Sequence, residues 1–277
     1  MGEKTRADVF LVRRGLCQSR EQAQAAIMEG RVFLGDRRVA KPSEMIREEE
    51  ELTLRAPAVS YVSRGALKLE KAIASFGAKF SDQVVMDIGC STGGFTDVCL
   101  QNGARRVYAI DVGYGQLDWK LRNDPRVTVM ERTNARYLEE SMFPERPGVT
   151  VMDVSFISIR LILPVAARIM GEEGVFYTLI KPQFEAGRDK VGKNGVVRDP
   201  RTHEAVILGI MDFVRDQMGW EVCALDYSPI TGPKGNIEFL AEIRRRAGDR
   251  PLPEEETVRA LVEQAHATLN HPDQGGE

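Results

Sequence analysis

The fold of this chain is decided by the stretch Val84-Val-Met-Asp-Ile-Gly-Cys-Ser-Thr-Gly-Gly-Phe-Thr96. Its apolar start predicts a buried strand that ends at Asp87, followed by a glycine turn into a helix from about Gly93. Such turns let a ligand approach the backbone and present the free N–H groups of a helix start. The spacing of Gly89, Gly93 and Gly94 differs from the G-x-G-x-x-G of dinucleotide sites. The stretch alone is therefore compatible with a ligand site or with a plain strand-to-helix turn.

Acidic residues at two successive strand ends favour a ligand. Asp87, directly before the glycines, suits the amino group of S-adenosylmethionine better than a pyrophosphate. Asp111 ends the next predicted strand about 20 residues further on, where an acid can bind ribose hydroxyls. Asn134, after a third strand, could read an adenine edge. The predicted cofactor is S-adenosylmethionine, and its predicted contacts in the glycine turn are Asp87, Gly89, Ser91, Gly93, Gly94 and Phe95.

Strand and helix patterns alternate from Gly65 onward, which predicts a doubly wound, Rossmann-like α/β sheet. The predicted strands are 84–86, 106–110, 127–130, 149–152, 174–180, 221–227 and 237–243. The last two are predicted to pair as a hairpin, which fits a methyltransferase sheet and is not expected of a dinucleotide dehydrogenase domain. A mobile loop is predicted over 183–200 and a helix over 254–269.

Polar residues at several strand ends should converge. Asp153 and Lys181 each follow an apolar strand, as Asp87 and Asp111 do, and Glu238 begins the last predicted strand. The carboxyl ends of strands in an open α/β sheet line one crevice, so these side chains are expected to meet there. Taken singly, each could be a helix cap or a surface charge.

The first 56 residues predict a small helical unit that ends in short strands. A first helix is expected over 5–14 and a second, capped by Ser19, up to Gly30, with strands over 31–34, 37–39 and 51–54. Basic residues recur along this unit and favour a phosphate-binding surface over a merely solvated face. The candidate RNA-binding residues are Arg6, Arg13, Arg14, Arg20, Arg31, Arg37 and Arg38.

Composition excludes several classes of protein. The 277 residues have a net charge of −3, so RNA contact must come from local patches and not from a global basic field. Four cysteines form no C-x-x-C pair and there are only three histidines, so no metal site is predicted. Neither a signal peptide nor an apolar stretch of about 18 residues occurs, which predicts a cytoplasmic protein without membrane contact.

Residues 6–34 resemble the RNA-binding domain first known from ribosomal protein S-four, which also occurs in pseudouridine synthases and tyrosyl-tRNA synthetases. Ser19-Arg20 together with Gly30-Arg31-Val32 carries this resemblance. The expected domain organisation is this domain over 1–56, a linker over 57–61 stiffened by Pro57, a catalytic domain over 62–250, and a C-terminal helix and tail over 251–277.

The whole chain resembles the TlyA family, whose members are named both as hemolysins and as rRNA methyltransferases with an FtsJ-like catalytic domain. That resemblance implies a Lys-Asp-Lys-Glu catalytic tetrad. The matching residues are Lys68 in Tyr61-Val-Ser-Arg-Gly-Ala-Leu-Lys-Leu69, Asp153 in Asp-Val-Ser-Phe156, Lys181 in Ile-Lys-Pro-Gln-Phe184 and Glu238 in Gly235-Asn-Ile-Glu238. It also implies methylation of the ribose 2′-hydroxyl of cytidines, with ribosomal RNA or ribosomal subunits as partners.

The implied tetrad makes chemical sense. A ribose hydroxyl is a poor nucleophile at neutral pH and needs a base as it attacks the methyl sulfonium. Burial and a neighbouring cation favour the neutral form of an amine, so Lys181 is expected to be the base and Lys68 that cation. Asp153 and Glu238 would hold both amines, and no metal or covalent intermediate is required.

Two alternatives remain at this point. A methyltransferase acting on a base nitrogen would show an (Asp/Asn)-Pro-Pro-aromatic run after the fourth strand, where this chain has Asp153-Val-Ser-Phe156. A cytolysin or a non-enzymatic RNA-binding protein is opposed by the lack of an apolar span and by the complete motif set. The sequence gives no indication of oligomeric state.

Overall fold

The computed structural model of the chain describes residues 4–28, 30–35, 37–47, 49–54, 61–248 and 250–269. The chain divides between residues 60 and 61 into two compact units. Residues 57–60 of the predicted linker, including Pro57, lie outside the described residues, as does the tail beyond 269.

The first unit packs two helices against two small antiparallel sheets. Its elements are β1 (Lys4–Arg6), α1 (Ala7–Arg13), α2 (Arg20–Met28), β2 (Val32–Leu34), β3 (Arg37–Arg38), β4 (Met45–Arg47) and β5 (Leu52–Leu54). β1 pairs with β4, and β2 lies between β3 and β5. The predicted Ser19 cap is present, since the Gln22 N–H donates to Ser19 Oγ at 3.2 Å.

One helix start in this unit was predicted wrongly. The helix expected from Thr5 begins at Ala7, because residues 4–6 form β1 and their backbone groups pair with β4. β4 itself was missed. Each strand has only three residues, too few for an alternating pattern to show in the sequence.

The second unit is a three-layer α/β structure. Its strands are β6 (Val84–Ile88), β7 (Arg106–Ile110), β8 (Val127–Met130), β9 (Val149–Met152), β10 (Val175–Ile180), β11 (Glu221–Tyr227) and β12 (Phe239–Arg244). Its helices are α3 (Ala66–Phe76), α4 (Gly94–Gln101), α5 (Trp119–Arg122), α6 (Leu163–Met170), α7 (Pro182–Glu185), α8 (Pro200–Met218) and α9 (Glu255–Leu269). Two apolar clusters bury the two faces of the sheet.

The seven strands lie in the order β11-β12-β10-β9-β6-β7-β8. β12 runs antiparallel to both β10 and β11, and the other neighbouring pairs are parallel. The Rossmann-like sheet and its terminal hairpin are therefore confirmed. The strand order reverses beside β6, which has β7 on one side and β9 on the other. A crevice is expected at such a reversal, outside the carboxyl ends of the strands.

Several elements of this unit differ in their bounds from the expectation. β6 continues to Ile88, so Asp87 lies within the strand and not at its end. β12 begins at Phe239, directly after Glu238. The loop expected over 183–200 contains most of α7 and two turns of 3-10 helix, and it ends where Asp199 caps α8 by accepting the Arg201 N–H.

Candidate active site

The backbones after β6 and β9 come close together at the reversal of strand order. Gly89 has a φ of +83°, and a Cβ at this position would lie 2.7 Å from the backbone oxygen of Asp153. A side chain there would force the two strand ends apart. Glycine at 89 therefore keeps the crevice narrow and brings Asp153 beside the glycine turn.

A cavity of about 460 Å³ opens along the carboxyl ends of β6, β7, β8 and β9. Gly89, Ser91, Asp111, Asn134 and Asp153 all line it. The Asp111 carboxylate accepts the backbone N–H groups of Ser91 at 2.9 Å and of Gly113 at 2.7 Å. These bonds fix its orientation at the cavity wall.

The predicted contacts from the glycine turn divide into three groups. Gly89 and Ser91 line both the large cavity and a neighbouring cavity of about 240 Å³, whereas Gly94 and Phe95 line the smaller one alone. Gly93 lines neither cavity. Its φ is +98°, and a Cβ there would lie 2.2 Å from Leu121 Cδ1, so this glycine is required by packing.

Asp87 lies beneath the turn and lines neither cavity. Its side chain is fully buried, and Thr96 Oγ1 donates to its Oδ2 at 2.6 Å. Its Oδ1 is buried without a hydrogen-bond partner. Burial raises the pKa of Asp87 to about 7, against the opposing effect of the Thr96 hydrogen bond. Its place inside β6 explains why the carboxyl is less accessible than the sequence suggested.

The four tetrad residues meet at one point, although they come from four separate elements. Lys68 lies on α3, Asp153 follows β9, Lys181 follows β10 and Glu238 precedes β12. Lys68 Nζ is 3.1 Å from Asp153 Oδ2 and 2.7 Å from Glu238 Oε2. Lys181 Nζ is 2.6 Å from Asp153 Oδ1 and 3.9 Å from Glu238 Oε1. Asp153 therefore bridges the two amines.

The two lysines have different surroundings within this cluster. Burial lowers the pKa of Lys68, but the charges of Asp153 and Glu238 outweigh burial and leave its pKa above the ordinary value. Lys68 is thus held as a cation between two carboxylates. Lys181 is bound closely by Asp153 alone and also donates to Ser155 Oγ at 3.0 Å.

Two features of the segment after β9 were missed in the sequence. Ser155 lines both cavities and contacts Lys181. Phe156 has a φ of +64°, is 91% exposed and lines the large cavity. Its ring centroid is 5.2 Å from that of Phe184. The sequence contained Phe156 within a recognised motif but gave no sign of its left-handed backbone or its exposure.

In the first unit, the structure groups the candidate RNA-binding arginines in small sets. Arg6 and Arg20 both contact the buried carboxylate of Asp8, at 2.9 and 3.1 Å, while remaining 44% and 54% exposed. The hydrogen bonds from Arg6 hold the pKa of Asp8 well below its usual value, although burial opposes them. Asp8 was missed in the sequence, where it reads as an ordinary first-turn acid.

The remaining arginines of the set have separate surroundings. Arg37 pairs with Glu44 at 2.6 Å, Arg38 lies against Gly30, and Arg14 lies over the Phe10 ring. Arg13 and Arg31 also have interaction partners. Arg6 and Arg20 therefore share one buried carboxylate, whereas Arg37 pairs with a different one.

The described residues contain neither a metal site nor a membrane-spanning helix. Within the described ranges, no group of three or more His, Cys, Asp or Glu residues could hold a metal ion. No helix in the part of the chain that the structure describes is long and apolar enough to cross a membrane.

Two family models match this chain, one in each of its two compact units. Residues 61–245 match the model of the FtsJ-like methyltransferase family, and residues 5–52 match the S4 domain. YqxC of Bacillus subtilis, whose name describes it as an rRNA methyltransferase, is 49% identical, with 96% of each chain covered. The 16S/23S rRNA (cytidine-2′-O)-methyltransferase TlyA of Mycobacterium tuberculosis is 39% identical, with 98% of this chain and 99% of the relative covered.

A solved structure from Streptococcus thermophilus, named as a hemolysin, has 46% identity and a TM-score of 0.72, with 98% of each chain covered. Relatives thus carry both kinds of name, as the TlyA resemblance implied. The family model covers the whole site, from Lys68 on α3 to Glu238 before β12. The resemblance found in the sequence is confirmed: the chain belongs to the TlyA family of FtsJ-like methyltransferases.

Proposed function

We propose that this enzyme transfers a methyl group from S-adenosylmethionine to the ribose 2′-hydroxyl of a cytidine in cytoplasmic ribosomal RNA. The observation that carries the proposal is the convergence of two lysines and two carboxylates beside a cavity at the reversal of strand order. The names of the relatives support the choice of ribosomal RNA and of cytidine.

The residues around the large cavity fit S-adenosylmethionine. Its volume of about 460 Å³ lies within the usual range of small-molecule sites. Asp111 at its wall can accept hydrogen bonds from ribose hydroxyls, and Asn134 offers an amide for an adenine edge. Oδ1 of Asp87 has no hydrogen-bond partner. It fits a positively charged amino group of the cofactor, which would attract it from the other side of the glycine turn.

When bound, S-adenosylmethionine supplies a methyl group on a positively charged sulfur. Lys181 accepts the proton of the 2′-hydroxyl as the new O–CH3 bond forms and the S–CH3 bond breaks. Asp153 holds Lys181 and stabilises the ammonium that results. Lys68 stays charged between Asp153 and Glu238, so Asp153 is shared between the two lysines and Glu238 is occupied by Lys68.

Asp111→Ala is expected to weaken S-adenosylmethionine binding by about 10–100-fold, because a carboxylate that bonds ribose hydroxyls contributes roughly 1.5–3 kcal/mol. Titration calorimetry on the full chain measures the affinity. Asp118→Ala is a suitable control, since Asp118 caps the short helix α5 and lines neither cavity. NAD binding in the absence of any S-adenosylmethionine binding would contradict the proposed cofactor.

Phe156 is proposed to contact the base of the target nucleotide. An exposed ring at the mouth of the large cavity, supported by Phe184, can stack a base that has left its helix. Phe156→Ala is expected to raise the KM for RNA by about 10-fold, within the roughly 1–3 kcal/mol of one base stack.

Steady-state kinetics on ribosomal RNA tests this role of Phe156. Phe156→Tyr keeps a stacking ring and should keep a near-normal KM. The affinity for S-adenosylmethionine, measured by calorimetry, should change little in either variant. An unchanged KM for RNA in Phe156→Ala would rule out the stacking contact.

A further inference from the structure

The Lys181 amine has three oxygen neighbours at graded distances. Asp153 Oδ1 lies at 2.6 Å, Ser155 Oγ at 3.0 Å and Glu238 Oε1 at 3.9 Å from its Nζ. Only the first two distances are within hydrogen-bond range. Ser155 Oγ accepts a hydrogen bond from the amine, whereas the close contact with Asp153 Oδ1 is an ion pair without hydrogen-bond geometry.

A neutral amine has two N–H bonds and one lone pair. An N–H donated to a fixed acceptor, together with a carboxylate fixed close to the amine, restricts how the amine can turn. We propose that Ser155 is a positioning residue that accepts one N–H of Lys181 and thereby turns the rest of the amine toward the 2′-hydroxyl of the substrate. This inference rests on the proposed function, in which Lys181 is the base.

Neither Glu238 nor the second oxygen of Asp153 is placed to replace Ser155 as the hydrogen-bond acceptor of Lys181. Glu238 is too far from Lys181 to accept a hydrogen bond from it; its Oε2 accepts from Lys68 at 2.7 Å and its Oε1 from Gln183 Nε2 at 3.3 Å. The second oxygen of Asp153 accepts from Lys68 at 3.1 Å. Ser155 Oγ is thus the hydrogen-bond acceptor of Lys181.

Ser155 also lies where the two substrates have to meet. It lines the large cavity assigned to S-adenosylmethionine and the smaller cavity that contains Lys68 and Lys181. The hydrogen bond to Ser155 therefore holds the Lys181 amine beside the junction of the two cavities. Methyl transfer requires the hydroxyl oxygen at this junction, in line with the methyl group.

The backbone holds Ser155 in place independently of its own side chain. Before it, the Asp153 N–H donates to the Ile88 oxygen at 3.1 Å. After it, the buried carboxylate of Glu185 accepts from Ser158 Oγ at 2.7 Å and from the Ile159 N–H at 2.8 Å. Because Ser155 itself is exposed, removal of its hydroxyl should leave the fold intact.

The test compares Ser155→Ala and Ser155→Thr in the full chain. Ser155→Ala should lower kcat by about 10–100-fold, as expected when a reacting group loses its orientation. The KM for ribosomal RNA, the affinity for S-adenosylmethionine and the melting temperature should stay near those of the unaltered protein. Ser155→Thr keeps a hydroxyl and should restore most of kcat.

Ser75→Ala provides a matched control, because Ser75 is an exposed serine of the same unit whose hydroxyl bonds a carboxylate, Asp226, away from the site. It should leave kcat unchanged. Normal kcat in Ser155→Ala would overturn the inference, as would a loss that Ser155→Thr fails to restore. Lys181→Ala tests the role of Lys181 as base separately from the role of Ser155. If Lys181→Ala is active, Lys181 is not the base, whatever the result for Ser155→Ala.

Discussion

Lys181→Ala is expected to lower the rate of methyl transfer to ribosomal RNA by about 10²–10⁴-fold, the usual contribution of a positioned general base. Lys181 lines the smaller cavity and not the large one, so S-adenosylmethionine should still bind with nearly normal affinity. Turnover is measured with a radiolabelled methyl donor, and cofactor affinity by calorimetry on the same protein.

Two further variants make the result specific. Lys181→Arg keeps the positive charge but cannot lose its proton at neutral pH, so it should be as inactive as the alanine variant. Lys71→Ala removes a lysine whose ion pair with Asp226 lies outside the tetrad, and it should remain active. Near-normal turnover in Lys181→Ala would refute the role of Lys181 as base. Activity in Lys181→Arg would show that only charge is needed.

Removal of residues 1–56 is expected to reduce binding and methylation of ribosomal RNA strongly, with little change in S-adenosylmethionine affinity. The catalytic crevice contacts few nucleotides, so most of the binding free energy for RNA should come from phosphate contacts elsewhere. The first unit has its own apolar core, and the large cavity is built entirely by the second unit. The chain from Val59 onward should therefore fold and bind the cofactor.

A sharper variant leaves the full chain intact. Arg6→Ala combined with Arg20→Ala removes the exposed pair held by Asp8. When the logarithm of the RNA-binding constant is plotted against the logarithm of the salt concentration, the line has a negative slope. Each lost phosphate contact should make that slope less steep by about 0.7–0.9. Arg259→Ala, an exposed arginine paired with Glu255 on α9, is the control. An unchanged methylation rate for the chain from Val59 onward, across physiological salt, would rule out docking by the first unit.

The sequence predicted the sheet and much of the site because both depend on strand ends. Asp111, Asp153 and Lys181 each follow an apolar run, and parallel strands bring such positions to one edge. Lys68 has no such signal, since it lies on a helix, and only the family resemblance pointed to it. All four tetrad residues were expected to meet, and the structure brings them together.

What the sequence did not predict depends on contacts between distant segments. Asp87 reads as a strand end, but one more residue in β6 places it inside the sheet and buries it. Ser155 looks like any exposed serine until β10 places Lys181 beside it. Asp8 gains Arg20 only through the approach of α2 to α1, whereas Arg6 lies two residues before it, on β1.

The placement of β12 has a consequence for how the enzyme becomes active during its own synthesis. β12 is the last strand of the described residues but lies between β10 and β11, and the Lys68–Glu238 pair joins positions 170 residues apart. At roughly 5–20 residues per second, Glu238 leaves the ribosome on the order of 10–30 seconds after Lys68. Until then β10 lacks one of its two neighbouring strands, and Lys68 lacks one of its two carboxylates. A nascent chain, or one that ends before β12, therefore cannot complete the tetrad, and methyl transfer can begin only after β12 has been made.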